Sequence, residues 1–482
     1  MKKIYSLLLF AILSSCTKDK IKSDTSNENK SGNDRALNTK SAGDGVYDVL
    51  GYGYDVSGDY LSAVSVKSPV LDIAKYERDF KSRIITGTPS YGFDEFYSGY
   101  SSLDYLSDIA KTTNVKASIP LFKAFTGTIS TNNFLKSTYS YSTKYSFASL
   151  DAVRNKKYIR INDELSRMAQ YLSPEFVEDL GRLTADRLVE RYGTHVLTDF
   201  TIGGRYKLMF RSVISKTMDN VNKKIAVESG LTGLIDKIGL SINVETNTET
   251  NENLSKENHN KELYVSFYGG NGTALKYDLE KGLPNSVDIQ GWENTVNLQN
   301  AGLTKVNWNE TYPIYDFITD PVKKAEVKAA VERYLTSKQL TLLDIVPLYR
   351  YHSGSRSNHI YLTEWKGDSF DNGIYRFERI EAYVLKNQIT GSSPLYRYYN
   401  EPTTSHYYTA TWEGSPIPGK ANFKYDNVIE GYVYKTQNSE TVPFYQYYKA
   451  STNEYFYVTP FDSSLQDFVY QKIAFYAYPG AQ

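Results

Sequence analysis

The side chains of this 482-residue chain best suited to chemistry near neutral pH are five histidines, His195, His259, His352, His359 and His406, and one cysteine, Cys16. A lone histidine can act as a general base, and His195, at the end of Tyr192-Gly193-Thr194-His195, invites that reading. No Ser or Cys nucleophile motif accompanies it, and the histidines show no metal-ligand constellation such as H-E-x-x-H. A single cysteine excludes an internal disulfide framework and a cysteine-based zinc site. A glycan hydrolase would need two facing carboxylates, and the sequence places no such pair. These residues assign no catalytic role, no metal and no cofactor, and His195 reads as a buried or half-buried hydrogen-bonding residue.

Cys16 has a chemistry of its own. Lys2 and Lys3 precede an apolar run from Ile4 to Leu13, which leads into Leu13-Ser14-Ser15-Cys16. About ten apolar residues are too few to cross a bilayer but suit a signal peptide. The small residues before the cysteine resemble a bacterial lipobox. That resemblance implies a signal peptide over 1–15 and a lipidated Cys16 at the mature N-terminus; an ordinary signal peptide with an incidental cysteine is the alternative. Residues 17–45 carry no aromatic side chain and are rich in Lys, Asp, Asn, Ser and Thr. They read, with Cys16, as a disordered tether over 16–45 that holds the folded part roughly 30 Å from the lipid. The expected location is the outer membrane or cell surface of a Gram-negative bacterium, lipid-anchored or released.

The elements that would position any site follow from pattern. Net formal charge is zero, which gives no support to a nucleic-acid partner. Ser173 and Pro174 open a helix whose apolar face runs through Phe176, Leu180, Leu183 and Tyr192, with Gly193 placed to end it. Asp320-Pro321 opens a second, through Ala325, Val331 and Leu335. Of 44 tyrosines, about half lie after residue 345, where the chain repeats. Val346-Pro347-Leu348-Tyr349-Arg350-Tyr351 recurs at Ser393–Tyr398 and at Val442–Tyr447, and each copy carries a second cluster, His359 to Trp365, His406 to Trp412 and Tyr455 to Phe461. Three copies of about 45–50 residues are too few for an ordinary propeller. They suit a β-trefoil-like domain over 341–482, with a β-prism as second choice. Tyr351, His359, Trp365, Tyr398, His406, Trp412 and Tyr447 are its binding candidates, most of the repeated aromatics serving as core and turn residues.

Tyr192-Gly193-Thr194-His195, followed after seven residues by Gly203-Gly204, resembles the signature of the membrane-attack-complex/perforin (MACPF) family. A capped helix leads into it, and a strand-like Glu262–Tyr268 ends in a second pair, Gly269-Gly270. Trp292 and Tyr312-Pro313-Ile314 follow in the order expected of the family. The resemblance covers residues 46–340 and implies an α+β domain: a bent, twisted antiparallel sheet flanked by helical clusters. Paired glycines weaken a strand and mark bends, so Gly203-Gly204 and Gly269-Gly270 read as two hinges, with His195 bonding across the bend.

The family also implies two segments that pack as helices and refold as membrane hairpins, here near 117–150 and 213–260. In the first, Tyr139, Tyr141, Tyr145 and Phe147 alternate with polar residues, as do Phe125 and Ile129 upstream. In the second, Ile225, Val227, Leu231 and Ile235 share one phase and Ile238, Leu240, Ile242 and Val244 the other. Strand alternation in a soluble sheet, or a helix packed on one, would look the same. The resemblance implies a pore-forming surface lipoprotein, similar to lipidated antimicrobial and cell-invasion MACPF proteins of Bacteroidales. It would oligomerise with itself as a ring or arc and bind a target lipid, glycan or outer-membrane protein. A non-lytic adhesin or glycan-binding lipoprotein of the same fold is the alternative. If Cys16 is lipidated, cells fed labelled palmitate will label the wild-type chain and not a Cys16→Ala variant; equal labelling removes the lipobox reading.

Overall fold

The computed structural model describes residues 46–117, 119–130, 143–214, 219–238, 252–273, 275–282, 289–340, 342–420 and 422–480. Cys16 and the tether, Tyr139, Tyr141, Leu240, Ile242 and Val244 lie outside the described residues.

Two long strands organise the N-terminal part: β5 (Tyr145–Ile161) and β7 (Asp199–Ile214), paired antiparallel from Tyr145↔Val213 to Arg160↔Asp199. Around them lie β3 (Ile84–Gly87), β4 (Gly92–Gly99), β8 (Asn258–Tyr268), β9 (Leu275–Asp278) and β10 (Gly302–Val306), completing a seven-stranded sheet. A smaller four-stranded sheet joins β1 (Tyr52–Tyr54), β2 (Val66–Pro69), β6 (His195–Val196) and β11 (Tyr312–Pro313) in the order β11-β6-β1-β2.

The caps read from sequence form as the local chemistry requires. Ser173 Oγ accepts from Phe176 N at 3.1 Å, and Asp320 Oδ1 accepts from Lys323 N at 2.7 Å, each satisfying an amide that has no helical partner. The first helix departs from expectation. It is two helices, Pro174–Arg182 and Ala185–Tyr192, because Leu183 is extended and Thr184 caps a new start by accepting from Arg187 N at 3.4 Å. Phe125 and Ile129, read as part of an alternating strand, are instead buried at and within a short helical turn, Gly127–Ser130. No helix among the described residues is long and apolar enough to cross a membrane.

The large sheet has two unlike faces. Ala148, Leu150, Ala152, Tyr206, Leu208, Phe210, Leu263 and Val265 face one way, under the helix Asn220–Lys237 and Trp292. The alternate residues, among them Ser149, Asp151, Arg205 and Lys207, face the other way. That polar face is covered by the helix Ser102–Thr112, through Tyr105, and by the loop around Asp59 and Tyr60.

The C-terminal part is all β, as expected. Its three copies share one plan: a hairpin and a long strand returning beside the hairpin's first strand. They are β12 (Ile345–Ser353), β13 (Asn358–Leu362) and β15 (Tyr375–Leu385), with a short β14 (Ser369–Phe370) on the last. Then come β16 (Ser392–Asn400), β17 (Ser405–Thr409) and β18 (Phe423–Tyr434), and β19 (Val442–Lys449), β20 (Glu454–Val458) and β21 (Val469–Pro479). The three returning strands pair with one another in a closed set.

At the centre, three tyrosines bond in a cycle. Tyr361 N donates to Tyr408 Oη at 2.9 Å, Tyr408 N to Tyr457 Oη at 2.8 Å, and Tyr457 N to Tyr361 Oη at 3.0 Å. Each hydroxyl in turn donates to a carbonyl of the strand whose amide it accepts from. One phenol thereby satisfies two buried backbone groups that no strand reaches. Tyr408→Phe keeps the ring but strands the amide and carbonyl of Tyr361. At about 1–3 kcal/mol per orphaned buried group, the variant should lose roughly 2–4 kcal/mol of stability in chemical denaturation.

Candidate functional site

At the paired glycines of β7 the strand partners change. β7 pairs with β8 from Arg205 onward, but from Gly203 back toward Phe200 its partner is β10. On its other side, β5 has a register shift between Asn155 and Lys157, opposite Gly203 and Ile202. A bulge bends and twists a strand, so both long strands are irregular at one level of the sheet. The glycines make this possible by close approach. A Cβ on Gly203 would stand 2.0 Å from the Arg154 carbonyl oxygen, and one on Gly204 would meet the Trp292 ring at 2.8 Å. Gly269 and Gly270 both have positive φ, 71° and 66°, a region that glycine alone enters freely. They lie just past the end of β8, and a Cβ on Gly269 would be 2.5 Å from the Gly203 carbonyl oxygen. The two glycine pairs that the sequence separates by some sixty-five residues therefore meet, and Trp292 Nε1 donates to Gly269 O at 2.9 Å to close the joint.

Beneath the joint lies a buried charge cluster. Arg205, 1% exposed, donates from Nη1 to Asp151 Oδ2 at 2.5 Å and from Nη2 to Tyr60 O at 2.8 Å, with its guanidinium 3.9 Å from the Tyr268 ring centroid. Tyr268 donates to Asp59 Oδ2 at 3.1 Å. Burial opposes charge on Arg205, yet Asp151 beside it holds the guanidinium above its usual range. Asp59 is pushed up by burial against the pull of Arg205, and Glu95, bonded to Tyr97, is also raised by burial. The sequence signal for this cluster was available: Arg205, Lys207 and Arg211 alternate in phase along β7, as expected of a polar sheet face.

The signature residues are structural. Gly193, φ 75°, ends the helix Ala185–Tyr192. Thr194 N and Oγ1 both donate to Tyr54 O, at 2.9 and 3.1 Å, while Oγ1 accepts from Val56 N at 3.1 Å. Tyr192 donates to Asp179 Oδ2 at 2.9 Å. His195 is buried in β6 between β1 and β11, with Nδ1 at 3.0 Å from Thr194 Oγ1. It thus bonds within the small sheet, not across the bend of the large one, because the signature ends before β7 begins. Burial holds its pKa down at about 3, with Lys116 adding to the effect.

The second expected insertion segment is a helix, Asn220–Lys237, on the apolar sheet face. Val227, Leu231, Leu234 and Ile235 are buried against the sheet, Ile238 packs beside them, and Ile225 is half-buried. At about 1.5–3 kcal/mol for each fully buried aliphatic side chain, this face is the main attachment. Polar ties add to it: Lys224 to Asp108 at 3.3 Å, Glu228 to Ser98, and Asn258 Nδ2 to Ala226 O at 2.8 Å. Of the first segment, Tyr145 and Phe147 stand on β5, paired with Val213 and Arg211; their alternation is that of a sheet strand, not of a packed helix.

The repeat candidates divide by exposure. Tyr351, Tyr398 and Tyr447 are buried, and each hydroxyl accepts from a turn amide (Lys366, Glu413, Asp462) at 3.0–3.1 Å. They lock turns and offer no surface. His406 is also buried, and burial, aided by Arg397, lowers its pKa to about 3. His359 and Trp365 are half-buried. Trp412 is exposed by 51%, edge-on to Tyr396 and Tyr425 at 5.4 and 5.1 Å. Phe461, its equivalent in the third copy, is 49% exposed beside Tyr445 and Tyr470; the repeat alignment could have named it. The first copy's platform is occupied otherwise: its core joins Val213 and Tyr145 at the end of the large sheet, and Thr143 Oγ1 donates to Ile345 O at 2.8 Å.

Against known proteins, residues 37–343 match the MAC/Perforin domain, and residues 330–433 match a domain of unknown function, DUF5648. No curated protein matches by sequence. Among solved structures, a MAC/Perforin-domain protein of Bacteroides thetaiotaomicron is 17% identical, with 77% of this chain and 70% of that one covered at TM-score 0.48. GNIP1Aa from Chromobacterium piscinae is 13% identical, with coverage of 86% and 91% at TM-score 0.47. Listeriolysin O is 11% identical, with coverage of 51% and 43% at TM-score 0.27.

The buried imidazoles set an acid limit. His195 and His406 are neutral in the folded chain and take up a proton on unfolding below pH 6.5, their ordinary value. The unfolded state then binds more protons, so stability is full above 6.5 and falls as pH drops toward 3. Each should cost about 2 kcal/mol by pH 5, at about 1.4 kcal/mol per pH unit. Thermal midpoints between pH 7.5 and 5 check this, and the acid limb should be shallower in His195→Gln.

Proposed function

The chain belongs to the MAC/Perforin family, and on that premise we propose that it is a surface lipoprotein that attacks a bacterial or other target cell by forming a pore. The C-terminal repeats bind the target, copies assemble edge to edge into a ring or arc, and the sheet opens at the glycine joint. The helix Asn220–Lys237 and the chain around it then enter the membrane as a β-hairpin. The observation that carries this is the position of that helix. It lies between the end of β7 at Ile214 and the start of β8 at Asn258, so refolding it as strand would prolong two adjacent strands of the existing sheet. The connection has 258 − 214 − 1 = 43 residues, and a membrane hairpin needs about 20. As a strand, Ile225, Val227, Leu231 and Ile235 fall on one face.

The exposed platforms at Trp412 and Phe461 support target binding by the repeats, since open aromatic rings beside the polar groups of Trp412 and Tyr470 suit glycan and lipid headgroup surfaces. The tyrosine cycle and the closed set of returning strands favour a threefold, trefoil-like arrangement. Lipidation at Cys16 would hold the chain at the outer membrane or cell surface, or leave it there until release. No enzymatic step is proposed.

A second reading is favoured by one observation. Tyr145 and Phe147 already belong to the sheet, which leaves the first insertion segment short, as suits a non-lytic adhesin or glycan-binding lipoprotein. The two separate on a lock. In a Cys16→Ser background, Ser98→Cys with Glu228→Cys, bridged by a short cleavable bis-thiol linker, ties the helix to β4. The pore reading expects dye release from target-lipid vesicles to vanish on bridging and return on cleavage. Release that survives the bridge would sink insertion of this helix, and an unbridged protein that binds cells yet releases no dye supports the adhesin.

A further inference from the structure

The three copies are not equivalent at one place. The cross-strand pair that is Tyr399–His406 in the second copy and Tyr448–Tyr455 in the third is His352–His359 in the first. The two imidazoles stack with centroids 4.5 Å apart. In every copy the returning strand carries a bulge just before the partner of this pair, opposite Arg350-Tyr351, Arg397-Tyr398 and Gln446-Tyr447, and such a bulge re-aims a side chain. In the first copy the extra residue between Phe377 and Arg379 is Glu378; the second copy has Asp426-Asn427 there and the third Gln471. One nitrogen from each imidazole and a Glu378 carboxylate oxygen all lie within 4.8 Å of one another, with His359 Nε2 3.5 Å from Glu378 Oε2.

We propose that His352, His359 and Glu378 form a binding site for a divalent transition-metal ion of the Zn2+ type. Two imidazoles and one carboxylate are a donor set that suits zinc. Bonds of about 2.0–2.2 Å to a tetrahedral ion set neighbouring ligand atoms about 3.4 Å apart, close to the 3.5 Å between His359 Nε2 and Glu378 Oε2, and the His352 nitrogen, within 4.8 Å of both, would close in on binding. A further group is placed as metal sites require. Glu454, from the third copy, stands with Oε1 2.6 Å from His359 Nδ1; with Nε2 on the ion, the proton of this contact lies on Nδ1 and the carboxylate accepts it, as carboxylates behind metal-bound imidazoles do. The positions equivalent to Glu454 hold Asn358 and Ser405, which instead bond the neighbouring turns at Thr404 and Thr452. His352 and this orienting carboxylate are thus departures from the repeat pattern in a single place, while His359 and Glu378 have His406 and Asp426 as counterparts in the second copy.

Arg350 shares this carboxylate with the ion. Its Nε donates to Glu378 Oε2 at 2.6 Å and its Nη1 to Glu381 Oε2 at 2.8 Å; each carboxylate oxygen has a second lone pair to offer, and Glu381, bonded also by Arg379, holds the guanidinium in place. His352 and Glu378 line an open cleft of about 540 Å³ with Gly354, Ser355 and Asn372. A fourth coordination position facing this cleft would be open to water or to a target group.

The test uses the full chain, free of any tag, stripped with EDTA and titrated with Zn2+ by calorimetry; Co2+ then gives the visible absorption of a tetrahedral nitrogen and oxygen site. One ion per chain is expected at micromolar Zn2+ or below. His352→Tyr and Glu378→Gln each install a residue that another copy carries, and circular dichroism checks that the fold is kept in each; each should weaken binding by about 100-fold, and Glu454→Gln by about 10–100-fold. No stoichiometric binding by the wild type overturns the proposal, as does wild-type affinity in His352→Tyr or Glu378→Gln.

Discussion

A buried arginine dictates much of this molecule. Arg205 stands one residue past the paired glycines of β7, on the face of the sheet opposite the helix Asn220–Lys237, where Asp151, a carbonyl of the covering loop and the Tyr268 ring receive its charge and Asp59 lies close by. Taking such a pair out of water costs several kcal/mol per ion, and removing one partner typically costs about 3–5 kcal/mol. The pair therefore contributes less to stability than to specificity. It can exist only while the helix Ser102–Thr112 and the loop at Asp59 and Tyr60 keep water from that face, and only while β5 and β7 hold their register. A sheet that buries charge on one side is a sheet that would be wetted at little cost if it opened.

The other face has the opposite character. The helix Asn220–Lys237 covers aliphatic side chains of β5, β7 and β8 and is fastened by a few polar ties at its margin. Between these unlike faces, the glycine joint sets where the sheet can bend. The strands change partner there, the β5 bulge lies opposite, and four glycines with one tryptophan fill the space that side chains would deny. The helix and the joint act on the same two strands: the helix lies in the connection from β7 to β8, and the joint holds both strands toward their other ends.

The C-terminal repeats rest on satisfaction of buried polar groups. Three tyrosine hydroxyls each serve an amide and a carbonyl of a neighbouring copy, so no copy completes its centre alone. Two of the copies add a buried ion pair, Arg350 with Glu381 and Arg397 with Glu430; the third replaces both partners, with Gln446 and Ala474. Losing both partners together avoids an unpaired buried charge, which is the expensive outcome. Attachment of the first copy to the end of the large sheet leaves the aromatic platforms of the other two in solvent.

What the sequence determined alone is what local chemistry determines: the Ser173 and Asp320 caps, the Gly193 helix end, the threefold aromatic repeat, and the family to which the signature points. The helix period of Val227, Leu231 and Ile235 was legible as one of two alternatives, and packing on the apolar face of the sheet selected it. Other decisions needed the tertiary structure. Alternation at Tyr145 and Phe147 is the same for a soluble strand and an inserted one, and only the pairing with β7 places them in the sheet. His195 lies near the glycine pair in sequence but in a different sheet in space. The meeting of Gly203 with Gly269, and of His352 and His359 with Glu378 and Glu454, depends on register, bulges and the packing of one copy on another, and the spacing of residues along a chain records none of these.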